Sequence, residues 1–140
     1  MSKYTIYSDG AYSRKYDIGA IGFIILNSNN EIVCKFGKPY KHTTNQRMEQ
    51  LAVIQALNSI KIASNIIVYT DSMYIVGTYN NNWKRKKNND LWCKLDNAIS
   101  KHINVVFKHI KGHAKEENYN NVADRIATER IHACCFGGNG

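Results

Sequence analysis

The chain has 140 residues, with 19 Lys and Arg against 11 Asp and Glu, a formal charge of +8 and a pI near 9.4. That length suits one domain able to bury a core without disulfide or metal staples, and the charge favours an anionic partner. No leader pattern opens the chain, no apolar run approaches the ~20 residues of a membrane span, and Cys34, Cys93, Cys134 and Cys135 lack paired C-x-x-C spacing, so the expectation is a soluble intracellular protein (cytoplasm or nucleus) with free thiols.

Residues 3–8, KYTIYS, alternate with aromatic and β-branched side chains and predict a strand ending at Asp9-Gly10. GAIGFIIL at 19–26 predicts a second strand, NSNN a turn, and EIVCKFG a third strand, which makes the opening an antiparallel meander. A helix follows from TTNQRMEQLAVIQAL, with Thr43 and Gln46 in capping-box spacing. Within it Glu49 is in phase with the apolar stripe of Ala52, Val53, Ala56, Leu57 and Ile60, where a core residue is expected. NIIVYT at 65–70 reads as a strand buried on both faces, leading into Asp71-Ser72 and a short helical segment to about Gly77. The basic interval NNNWKRKKNND precedes a helix at 90–101, a fifth strand at 103–110, the polar loop KGHAKEENYNN and a last helix carrying Val122, Ala123, Ile126, Ala127 and Ile131. The order predicts an α/β fold with a five-stranded mixed sheet, the first three strands antiparallel and the others parallel, and helices on both faces. Residues 1–131 are expected to form a single domain and 132–140, which contains Cys134 and Cys135 and the Gly-rich end, a flexible tail.

Four carboxylates stand out, each with a structural explanation of its own. Asp9-Gly10 is a hairpin signal, Asp71 could cap a helix, Asp124 could complement a helix dipole, and Glu49 could reach solvent from the edge of its stripe. If strands one and four are parallel neighbours, however, Asp9 and Asp71 share the carboxyl ends of the sheet, where open α/β sheets place ligands. Acidic groups gathered there repel one another unless protonated or bound to a cation. Oxygen-only ligands suit Mg²⁺ or Mn²⁺, and such a cluster can hold two ions for in-line displacement at phosphorus. A basic protein bringing metals to a polyanion fits a nuclease.

The segments SDGAY, TTNQRMEQLAVIQAL, YTDSMYI, NDLW and KGHAKEENYNNVADRIA, in this order over about residues 3–128, resemble type 1 ribonuclease H. The resemblance implies hydrolysis of the RNA strand of RNA/DNA hybrids to 5′-phosphate and 3′-hydroxyl ends, with two Mg²⁺ ions for which Mn²⁺ can substitute. Asp9, Glu49, Asp71 and Asp124 would hold the metals, and His113 would move protons or assist product departure. Gly10 through its main chain, Asn45 and Gln46 would read the hybrid minor groove. Thr44 and Asn88 would bind a DNA phosphate, with His42 standing where many relatives have Arg, and Trp83 would pack on deoxyribose beside the basic Lys84, Arg85, Lys86 and Lys87. The same resemblance implies an RNA/DNA hybrid as partner and a monomeric enzyme.

Two features depart from the family pattern. The interval from Trp83 to Leu91 is too short for the extra helix and basic handle of many cellular relatives, leaving KRKK as its remnant, and the Gly-rich segment after the first strand is replaced by AYSRKYDIGA. Weaker substrate binding is the expectation. The competing readings are a non-catalytic nucleic-acid-binding module and a nuclease of the same fold acting on DNA.

Overall fold

The computed structural model describes residues 2–111 and 118–136. In chain order the elements are β1 (Lys3–Ser13), β2 (Ile18–Leu26), β3 (Ile32–Lys41), α1 (Asn45–Ser59), β4 (Asn65–Thr70), α2 (Met73–Asn80), α3 (Asn89–Ser100), β5 (Asn104–His109) and α4 (Tyr119–Phe136). One five-stranded sheet runs β3-β2-β1-β4-β5, antiparallel across the first three strands and parallel across β1, β4 and β5. The expected mixed sheet is therefore present, with β1 at its centre.

The side-chain alternation of the strands divides the core between two faces. Ile6, Phe23, Ile25, Ile66, Val68 and Phe107 point to the face covered by α1 and α3, where they meet Val53, Leu57, Trp92 and Leu95. On the opposite face α4 packs across β1, β2 and β3, bringing buried Ala123 and Ala127 down to the bare backbone at Gly22. Strand β2 is consequently buried along its whole length, as its continuous apolar run requires. In β4, by contrast, only Ile66, Val68 and Thr70 are fully buried. The expectation of burial on both faces is corrected here, because the helix that covers the second face crosses the other half of the sheet.

Strand ends also differ from the reading of local turn signals. β1 does not stop at Asp9-Gly10 but stays paired with β2 from Asp9↔Gly22 through Ser13↔Ile18, so the Asp-Gly step is strand and the reversal comes later. Its pairing with β4, however, ends at Tyr7↔Tyr69. Beyond Tyr7, β1 therefore has a neighbour on one side only, and Asp9 sits where the sheet opens. α2 runs on to Asn80 and α4 to Phe136, past the boundary placed at residue 131. Among the described residues no helix is long and apolar enough to cross a membrane.

The start of α1 is capped one residue later than the sequence spacing predicts. Thr44, in an extended conformation, accepts a hydrogen bond from the Arg47 N–H at 3.1 Å through its hydroxyl, and position N3 is Arg47 rather than Gln46. Thr44→Ala should cost about 1 kcal/mol of stability, the usual effect of losing a side-chain N-cap. Urea denaturation would show this as a lower midpoint with an unchanged slope.

An acidic cavity at the open end of the sheet

Each carboxylate reaches the site by a different local rule. Asp9 and Asp71 lie two residues beyond the last β1–β4 pair, Tyr7↔Tyr69, and so project from the same side of adjacent parallel strands. Glu49 comes from the second turn of α1, which approaches β1 so closely that a methyl group at Gly10 would lie 2.5 Å from the Glu49 nitrogen. Only glycine permits that approach. Asp124 belongs to the second turn of α4, whose amino end is held by the Asn118 side chain accepting from the Asn121 N–H at 3.0 Å.

One carboxylate oxygen from each of Asp9, Glu49 and Asp71 falls within 4.8 Å of the others. Asp124 joins them in lining a cavity of about 360 Å³, shared with Gly10, Asn45, Gln46, Ser72, Met73 and Tyr74. Asp9 and Glu49 are 4% and 5% exposed, and a carboxylate oxygen of Glu49, Oε2, is buried with no hydrogen-bond partner. Behind Asp9, on the same face of the sheet, Tyr7 stacks on Tyr69 at 4.8 Å and meets Tyr119 at 5.2 Å.

These surroundings remove the separate structural explanations. Asp71 does not cap α2, because Ser72 accepts from the Ile75 N–H in that role. Asp124 lies beyond the first turn of α4, where a dipole contribution would be largest. Glu49 does not reach solvent, and the Asp9-Gly10 step is not a turn.

Burial raises the Asp9 carboxyl strongly above the ordinary range, with further upward contributions from the Glu49 charge, hydrogen bonding to Asp124 and the Asp71 charge. Burial and the Asp71 charge raise Glu49 as well, against the opposing hydrogen bonds from Asp9 and the Gly10 main chain. The cluster thus holds protons unless positive charge replaces them. Hard divalent cations meet that need: the donors are all carboxylate oxygens, and an unpartnered buried oxygen is already in place.

Asn45 and Gln46 line the cavity beside the carboxylates, and Gly10 borders it through its backbone. Thr44 and Asn88 each accept a hydrogen bond from Arg47, the first from its main chain and the second from its side chain. This guanidinium donates to Asn88 Oδ1 at 3.2 Å and makes a two-point ion pair with Asp90 at 3.0 and 2.7 Å. Sequence reasoning missed Arg47 because its partner lies 43 residues away, and it missed Tyr74, whose position in YTDSMYI gives the only local hint.

Two expected substrate contacts already have protein partners. His42 turns Nδ1 to Asp17 Oδ2 at 2.8 Å, and the Tyr12 hydroxyl donates to the other oxygen of the same carboxylate, also at 2.8 Å. Arg85 is paired with Asp96 and is not a free cation in the KRKK run. Trp83, Lys84, Lys86 and Lys87 are exposed and stand outside the cavity lining. His113 lies outside the described residues.

The model of the RNase H family matches residues 1–132 of the chain. Among curated relatives, Ribonuclease H of Clostridium botulinum is 37% identical over 148 aligned residues, covering 94% of this chain and 97% of the relative. Ribonuclease H of Nitrobacter hamburgensis is 39% identical, covering 91% and 90%. The fold is similar to that of the N-terminal RNase H domain of a Mycobacterium tuberculosis protein, with a TM-score of 0.86 at 19% identity and 99% of each chain covered. It is similar too to LC11-RNase H1, solved in complex with an RNA/DNA hybrid, with a TM-score of 0.83 at 23% identity over 94% of this chain and 99% of that one.

Proposed function

The chain belongs to the RNase H family, and on that premise we propose that it is a divalent-metal-dependent endonuclease that hydrolyses the RNA strand of RNA/DNA hybrids, leaving 5′-phosphate and 3′-hydroxyl ends. The observation that carries this reading is the convergence of Asp9, Glu49 and Asp71 within 4.8 Å, with Asp124 in the same cavity. Asp9, Glu49, Asp71 and Asp124 would hold two Mg²⁺ ions, with Mn²⁺ able to substitute. When bound, such ions supply activation of water and stabilisation of charge on the leaving oxygen.

The remaining roles fall to the chain itself. Asn45 and Gln46, at the first turn of α1, line the cavity and can each donate and accept hydrogen bonds, and in this reading they would sense the 2′-hydroxyl that separates RNA from DNA. Gly10 offers its backbone at the cavity edge. Asp9 and Glu49 are themselves buried, which strengthens their attraction to a cation. Thr44 and Asn88, linked through Arg47, are assigned to a DNA phosphate, and His113 to proton movement or product departure. Residues 1–131 act in this reading as one catalytic domain, and the enzyme as a monomer.

The test uses one end-labelled sequence prepared as RNA/DNA hybrid, duplex RNA, duplex DNA and single strands, with Mg²⁺, Mn²⁺ or EDTA. Metal-dependent cutting of RNA in the hybrid alone is the expected result. Tight hybrid binding without cutting would make the protein a binding module, and cutting of duplex DNA would move it to another substrate class.

A further inference from the structure

The segment 81–88 between α2 and α3 carries the chain's densest positive charge, yet its basic residues are not equivalent. The Trp83 N–H donates to the Gly77 carbonyl at 3.2 Å, and its indole lies so close over Gly77 that a methyl group there would be 2.3 Å from the ring. Arg85 forms a two-point ion pair with Asp96 of α3 at 2.5 and 2.9 Å, and its guanidinium lies 5.4 Å from the ring centres of both Tyr79 and Trp92. The Tyr79 hydroxyl donates to the same Asp96 at 2.8 Å. At the far end the Tyr74 hydroxyl donates to the Lys87 carbonyl at 3.3 Å and accepts from Asn88 Nδ2 at 3.1 Å. Asn82 and Asn88, at either end, both have positive φ.

The segment lies on the surface and is fastened at Trp83, Arg85 and Lys87, with Lys84 and Lys86 between the fastenings. Tyr74, which holds its last fastening, also lines the acidic cavity. Lys84 thus stands at most about 10 Å of chain from Lys87, whose carbonyl Tyr74 holds, since three extended residues span no more.

Building on the hydrolase reading, we propose that Arg85 is a positioning residue: with Asp96 it clamps the 81–88 strap to α3 so that Lys84 and Lys86 meet the hybrid backbone as a fixed pair. A planar guanidinium that is both paired and stacked suits this role, and a lysine could not reproduce it. Holding two lysines in place beforehand removes part of the ordering cost of binding.

Asp96→Asn separates this role from simple electrostatics, because the two predict opposite signs. Removing a negative charge near the strap should tighten binding of a polyanion if charge alone matters. Loss of the clamp should instead raise KM roughly three- to tenfold with kcat at saturation unchanged. Arg85→Lys, which keeps the charge but loses the fork and the stacking, should do the same. An equal or lower KM in Asp96→Asn, or an Arg85→Lys variant that matches wild type while Arg85→Gln does not, would show Arg85 to be an ordinary phosphate contact and overturn the proposal. Repeating the comparison as fluorescence anisotropy of a labelled hybrid in an Asp71→Asn background reads the strap without turnover. Failure of the clamp and failure of the hydrolase reading are then distinguishable.

Discussion

Asp9→Asn is expected to lower the rate of hybrid cleavage by about a thousandfold or more, the loss of roughly 4 kcal/mol of transition-state stabilisation, while leaving the fold and hybrid binding in place. Asp9 is the carboxylate from which the cluster is organised: it lies within 4.8 Å of Glu49 and Asp71, lines the cavity with Asp124, and projects from the one stretch of β1 that β4 leaves uncovered. The amide preserves shape and hydrogen bonding but cannot supply the anionic oxygen a hard cation requires. Single-turnover cleavage with saturating Mg²⁺ measures the effect directly. A variant within tenfold of wild type would mean that the reaction does not pass through this cluster.

The second large effect is on stability. Asp9 and Glu49 have ordinary values of 3.8 and 4.5 and are both raised in the folded protein, foremost by burial. Between those values and the higher native ones the folded state binds more protons than the unfolded, so the metal-free protein should lose stability as pH rises from about 4 through neutrality, at up to about 1.4 kcal/mol per pH unit for each proton involved. Mg²⁺, binding only the folded state, should restore stability, and by more at pH 8 than at pH 5. Asp9→Asn should raise Tm in EDTA at pH 8 and shrink the gain from Mg²⁺. Thermal denaturation at pH 5, 6.5 and 8, with Mg²⁺ and with EDTA, checks all three. A metal-free Tm that climbs from pH 5 to pH 8 would contradict the raised carboxylates.

The inward position of Glu49 was legible from the helical phase of its neighbours, because burial on a helix follows a local period that any side chain in phase must share. The same holds for the alternating strands and for the run in β2. Asp9-Gly10 misled for an equally physical reason. Asp-Gly favours a turn only where no partner strand claims the backbone, and β2 claims it as far as Ser13. Asp9 therefore lines the acidic cavity from paired strand rather than from a turn.

Pairings between distant residues left no local trace. Arg47 of α1 pairs with Asp90 of α3, and Arg85 of the 81–88 segment pairs with Asp96 of α3. By itself, then, the amino-acid order determined the sequence of elements and the buried faces of α1 and β2, since each follows from periodicity and residue chemistry over a few neighbours. Which strand stops first, where α4 leaves the sheet bare and which cations remain free to meet an anion were decided only by the tertiary structure, because those outcomes depend on contacts between residues that the chain itself keeps far apart.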